Sequence, residues 1–238
     1  VVAHSIEIGN EATLNITENH SLQIIESFTL NGLMSVSNNH SLTNAAGTAL
    51  QLNGTGTLNL SGEGTSGYLG TAENRGAFTI GKDLTVTTRG YSMGYVYANL
   101  TNTGTITTKA GDLILNGNTI DNTGSIVTGG KAITLQNATV NGIGTLNGAN
   151  GELQLNGATI NNGTLTGKLG TYGNTSTLNQ VTVDGNGTLD IQANAIAQGT
   201  ISIDGTVTVQ SNKYLYNAPP TRQAVSLSGT GTLNLSGE

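Results

Sequence analysis

The chain has 238 residues, including 35 glycines, two prolines and neither cysteine nor tryptophan; 9% of its residues are charged and its formal charge is −6. The lack of cysteine excludes a disulfide framework. The eight lysines and arginines are scattered without a basic stripe, which argues against nucleic acid, and no apolar run reaches membrane-spanning length.

Aliphatic residues alternate with Thr, Asn and Ser at period two, the pattern of half-buried strands, and no useful amphipathic helix appears. So few large side chains predict a narrow core, filled by one aliphatic row per face. The opening VVAHSIEI and the closing LNLSGE both read as mid-rhythm, with no signal peptide in front. A segment of a longer protein is expected.

Residues 1–63 hold short apolar runs and all three histidines; two of them, His20 and His40, stand in ENHSL and NNHSL. Stacked imidazoles 20 residues apart suit metal ligation, but a polar turn row is the better reading. Residues 61–98 interrupt the rhythm and are read as an irregular excursion. They carry four of the seven tyrosines (Tyr68, Tyr91, Tyr95, Tyr97) and two cations, Arg75 and Arg89. Tyrosine beside arginine is a favoured binding-surface pairing, and loops on rigid scaffolds often carry binding residues. These six residues are the candidate ligand-binding set. The bland alternative is that the tyrosines cover the coil beneath them or, with Met93, replace its aliphatics. Tyr172 and the pair Tyr214 and Tyr216 mark smaller departures from the rhythm.

From residue 99 a ladder with a 20-residue step begins. Leu113, Ile133 and Leu153 fall in register, as do Ile120, Val140 and Ile160, then Ile126, Leu146 and Leu165. A fixed period in this range marks a stacked repeat. Gly104, Gly124, Gly144 and Gly163 recur where the chain must turn, which predicts positive φ there. Asp121, Asn141 and Asn161 are expected to hydrogen-bond their own turns, and Thr119, Thr139 and Thr159 to form an outward row. Pairs such as Thr85-x-Thr87, Thr105-x-Thr107 and Thr164-x-Thr166 suggest a flat threonine array, broken at Val127 and Asn147.

Residues 176–238 repeat residues 1–63, so GTGTLNLSGE stands at both 54–63 and 229–238, 175 positions apart. The aliphatic rhythm persists between copies, whereas polar residues that look catalytic do not. Asp184 and Asp204, each in an (I/V)-D-G turn, are matched by Gly9 and Asn31. Asx turns therefore explain them better than a cation site or an acid–base pair. No triad spacing or nucleophile elbow supports acyl transfer, and no catalytic residue, metal site or cofactor is expected. Eleven Asn-x-Ser/Thr sequons occur, a number that this composition yields by chance.

These features predict an all-β chain, a right-handed parallel β-helix with about 20 residues per coil, about 12 coils and a length of roughly 55–60 Å. The stretch ANLTNTGTITTKAGDLILNGNTIDNTGSIVTGG resembles the repeats of filamentous-haemagglutinin-type adhesins, which alternate L-x-N-x-G-x-I with G-x-L-x-L-x-G. Leu100, Asn102, Gly104 and Ile106 match the first half; Gly111, Leu113, Leu115 and Gly117 match the second. The TGTLNLSGE segments look like autotransporter-passenger repeats. The resemblance covers residues 99–167 and lacks the family's secretion domain. It implies an exported bacterial protein at the cell surface or outer membrane, used for adhesion, aggregation or biofilm formation, or as a stalk. Its partner would be a host or bacterial surface glycan or protein, or another copy end to end, without membrane insertion. A ligand-free spacer and a polysaccharide lyase or hydrolase are the other readings.

Overall fold

The structure, a computed structural model, describes residues 1–16, 20–45, 48–217 and 224–236. The sequon at Asn19 and the closing Gly237-Glu238 of the repeated decapeptide lie outside them. Among the described residues there is no helix. The strands stack in parallel as a β-solenoid of about 11 turns, close to the coil number predicted.

Each turn has three short strands, defining three faces. Face 1 contains Gly94–Val96, Leu113–Asn116 and Ile133–Gln136 in successive coils. Face 2 contains Asn99–Asn102, Thr119–Asn122 and Thr139–Asn141. Face 3 contains Thr85–Thr87, Thr105–Thr107 and Ser125–Val127. The predicted register is realised: Leu113 pairs with Ile133 and Ile133 with Leu153, Ile120 with Val140 and Val140 with Ile160, and Ile126 with Leu146 and Leu146 with Leu165. These side chains point inward and are buried. Burying each stabilises the rod by about 1.5–3 kcal/mol, while the backbone groups bond to the coils above and below.

Two local expectations are corrected. Gly104, Gly124, Gly144 and Gly163 do not have positive φ. At the first three, what matters is close approach. A Cβ on Gly104 would lie 2.3 Å from Gly81 O, one on Gly124 2.3 Å from Gly104 O, and one on Gly144 2.3 Å from Asn122 Nδ2. Corners stacked this tightly leave no room for a side chain. Asn141 and Asn161 do not bond their own turns either. Asn141 Nδ2 donates to Asp121 Oδ1 (3.1 Å), Asn161 to Asn141 (2.8 Å) and Asn179 to Asn161 (3.0 Å). The result is an amide ladder up the outside of face 2. Beside it, Thr119, Thr139 and Thr159 align as predicted.

Within 61–98 the chain stays on the rod. Gly67–Leu69 and Gly94–Val96 lie on face 1, Ala77–Ile80 on face 2 and Thr85–Thr87 on face 3. The irregularity lies in the turns between them, one of which is closed by an antiparallel bridge from Ser61 to Ser66.

The duplicated block holds the main surprise. Thr13–Ile16 lies on face 3, but its copy Thr188–Ile191 lies on face 1. Leu33–Val36 and Thr57–Asn59 lie on face 3, and their copies Thr206–Val209 and Thr232–Leu235 on face 1. Thr13–Ile16 is eight ladder steps from Thr182–Val183 on face 3, and the copy Thr188–Ile191 follows one face later. The long repeat therefore spans eight turns and one face.

Candidate functional site

The strand alternation that points Leu69 and Val96 into the core points Tyr68 and Tyr95 out of face 1. These two are in register in adjacent coils. Their rings stack, with centroids 5.3 Å apart and planes 17° apart. Tyr97, two residues along the same side, is parallel to Tyr95 within 6° at 6.1 Å and lies 6.2 Å from Tyr68. The three tyrosines thus stand outward and do not replace core aliphatics. Stacking uses ring faces against one another and leaves the hydroxyl-bearing edges for contact. Tyr95 OH lies 3.5 Å from Met93 Sδ. Burial pushes the Tyr68 hydroxyl's pKa up, and the neighbouring Tyr95 and Tyr97 add to the shift. Tyr91 and Met93, in the preceding turn, are 82% and 43% exposed. Tyr68, Tyr95 and Tyr97 form an aromatic platform on face 1, continued in the next coil by Ile114 beside Tyr95.

The two arginines of the candidate set do not join it as a pair. Arg75 Nη1 donates to Asn116 O at 3.0 Å and to Gly117 O, so its guanidinium reaches past one coil and pins the second coil on instead of facing a ligand. Arg89 is exposed at the corner between faces 3 and 1.

Asp184 and Asp204 do fall in register. Each carboxylate caps backbone: Asp184 Oδ1 accepts from Asn186 N (3.0 Å), and Asp204 Oδ1 from Thr230 N (3.1 Å). His20 and His40 also fall in register, at the edge of face 1. No group of three or more His, Asp or Glu residues suited to a metal occurs among the described residues.

Sequence reasoning missed a polar network farther along face 1. Tyr172 OH donates to Glu152 Oε1 (2.7 Å) and accepts from Gln192 Nε2 (3.1 Å); Gln192 also donates to Asp190 (2.9 Å), as does Gln210 (2.6 Å). Lys168 Nζ pairs with Glu152 at 3.0 Å. The Tyr172 ring lies over Gly170, where a Cβ would meet it at 2.7 Å. Burial raises the Tyr172 pKa, and the Glu152 hydrogen bond and charge raise it further. Burial alone would raise Glu152, but hydrogen bonds from Tyr172, Gln154 and Lys168, with the lysine charge, bring it below its ordinary value. The signal was in the sequence: Glu152, Tyr172 and Gln192 are 20 apart, as are Asp190 and Gln210.

Two apolar cavities of about 410 and 400 Å³ are the open core at the two ends of the rod. A polar groove of about 490 Å³ lies along face 3, lined by threonines with Arg89 and Lys109. No family model, curated protein or solved structure matches the chain.

Proposed function

We propose that the chain is a rigid segment of a large exported bacterial surface adhesin, with the rod giving reach and the tyrosine platform giving contact. The observation that carries this reading is the stack of Tyr68, Tyr95 and Tyr97 beside exposed Tyr91 and Met93. Such an aromatic cluster on an exposed face of a stiff scaffold suits recognition of a surface glycan or protein. The reading is non-enzymatic: of the carboxylate pair, Asp184 accepts from the backbone of its own turn at Asn186 and Asp204 from Thr230 N of the next coil.

Glycan-array and cell-binding assays on the chain test it. Binding should be lost when Tyr91, Tyr95 and Tyr97 are changed to Ala while circular dichroism stays unchanged. Absent binding, or binding indifferent to these changes, would leave only the spacer-rod reading. Release of unsaturated or reducing sugars from acidic polysaccharides would overturn the non-enzymatic reading.

A further inference from the structure

The cations that look scattered in sequence are not all scattered in space. Thr85 pairs with Thr105 and Val86 with Ile106, which brings Arg89 and Lys109 into register one coil apart. Lys109 N and Ala110 N both donate to Thr88 O, at 2.9 and 3.0 Å, so the two turns stack directly. Lys131 sits on the turn of the next coil, where its carbonyl accepts from Thr108 Oγ1 at 2.8 Å. Three of the chain's eight lysines and arginines thus line one corner. All three are exposed. The ion pairs found among the described residues are His4–Glu26, Lys82–Asp83 and Lys168–Glu152, so this corner has no acidic partner. The same corner carries Asp112, whose carboxylate accepts from Ala132 N at 2.9 Å, and exposed Glu63.

Beside the corner runs a row of hydroxyls. Thr57, Thr85, Thr105, Ser125, Thr145, Thr164, Thr182 and Ser202 occupy one outward position in successive coils of face 3. The breaks at Val127 and Asn147 fall in the row beside it. Thr57, Thr85, Thr87 and Thr107 line the groove together with Arg89 and Lys109. On the other side of the corner, the turn that carries Arg89 also carries Tyr91.

We propose that this groove and its basic corner seat an acidic polysaccharide, a polyuronate lying along the rod. The proposal rests on the adhesion reading and names the ligand class. The Arg89 guanidinium offers a fork that matches a carboxylate, Lys109 a point charge one coil on, and the threonine row hydrogen bonds for ring hydroxyls. A single-stranded nucleic acid fits less well: it needs free aromatic faces for its bases, and those of Tyr68, Tyr95 and Tyr97 are turned on one another.

The test measures binding of the full chain to polygalacturonate, to its methyl ester and to single-stranded DNA, across a salt titration. Polygalacturonate should bind, weaken as salt rises, and exceed the ester by about tenfold or more. The double substitution Arg89→Gln with Lys109→Gln should weaken it by a similar factor of about ten, with circular dichroism unchanged. The proposal fails if polygalacturonate does not bind, if the ester binds equally well, if DNA binds more tightly, or if the double variant binds like the parent. Loss of binding in the tyrosine variants without loss in the double variant would keep the platform and sink the groove. The opposite result would keep the groove and sink the platform.

Discussion

Thr57–Leu60 and Thr232–Leu235 are the same four residues, TLNL, yet the first lies on face 3 and the second on face 1. The difference teaches that the block encodes alternation and corners, not a particular face. Every face takes aliphatic side chains inward at alternate positions, with Asn102 and Asn122 on face 2 as buried exceptions, so a strand unit fits any of the three. Outward neighbours do differ. In the first copy Asn15 and Ser37 stand where the second has Asp190 and Gln210, and only the latter bond to each other, as part of the Glu152–Tyr172 network. The rotation moved this surface onto face 1, and the polar residues changed with it.

The most decisive way to break this comparison is crosslinking, for which a chain without cysteine is a clean background. Lys168 and Thr188 are in register on face 1, about 4.8 Å apart on strand spacing. Lys168→Cys with Thr188→Cys should therefore react almost completely with a short bifunctional thiol reagent. Thr164→Cys with Thr188→Cys should not, although that is the pair an unrotated second copy would stack. The reverse pattern would remove the one-face step. A smaller effect separates the copies by burial. Leu58 is fully buried, whereas Leu233 stands in the last described coil and, with no coil over it, is 37% exposed. Leu58→Ala should lower local stability by about 2–5 kcal/mol and Leu233→Ala by about 1 kcal/mol or less, read by hydrogen exchange during urea unfolding. Equal losses would mean that equivalent strands are equivalently packed.

The smallest effect concerns the network that marks the rotated face. Glu152 titrates below its unfolded value, so its contribution is full above the ordinary glutamate range, near pH 4.3, and disappears as pH falls through the lower folded value. Because its charged partner Lys168 is largely exposed, Glu152→Gln should cost less than about 1 kcal/mol at neutral pH and nothing in strong acid, measured by urea midpoints at both. A larger gap in acid would reverse the sign argued for Glu152.

Much of the site was legible in the sequence, but not its pairings. Tyr68, Tyr91, Tyr95 and Tyr97 stand out by composition, whereas the stacking of Tyr68 on Tyr95 is hidden by their 27-residue separation. Two lengthened turns put that coil off the 20-residue step. For the same reason Arg75 looked like a partner for the tyrosines, when its reach to Asn116 and Gly117 depends on a loop that the period does not describe. Arg89 and Lys109 are 20 apart and could have been paired from sequence; counting cations along the chain concealed them. The glycines of the corners were found in the right places for the wrong reason, because close backbone approach across coils leaves no local signature.

The sequence by itself determined the coil length, the inward aliphatic rows and the parallel stacking, since these follow from a period of two within strands and of 20 between them. Only the tertiary structure decided which face each strand occupies and which polar side chains meet across coils. That assignment depends on the summed lengths of all the turns before it. A block of 175 residues can therefore keep its core pattern intact and still arrive one face further round the rod.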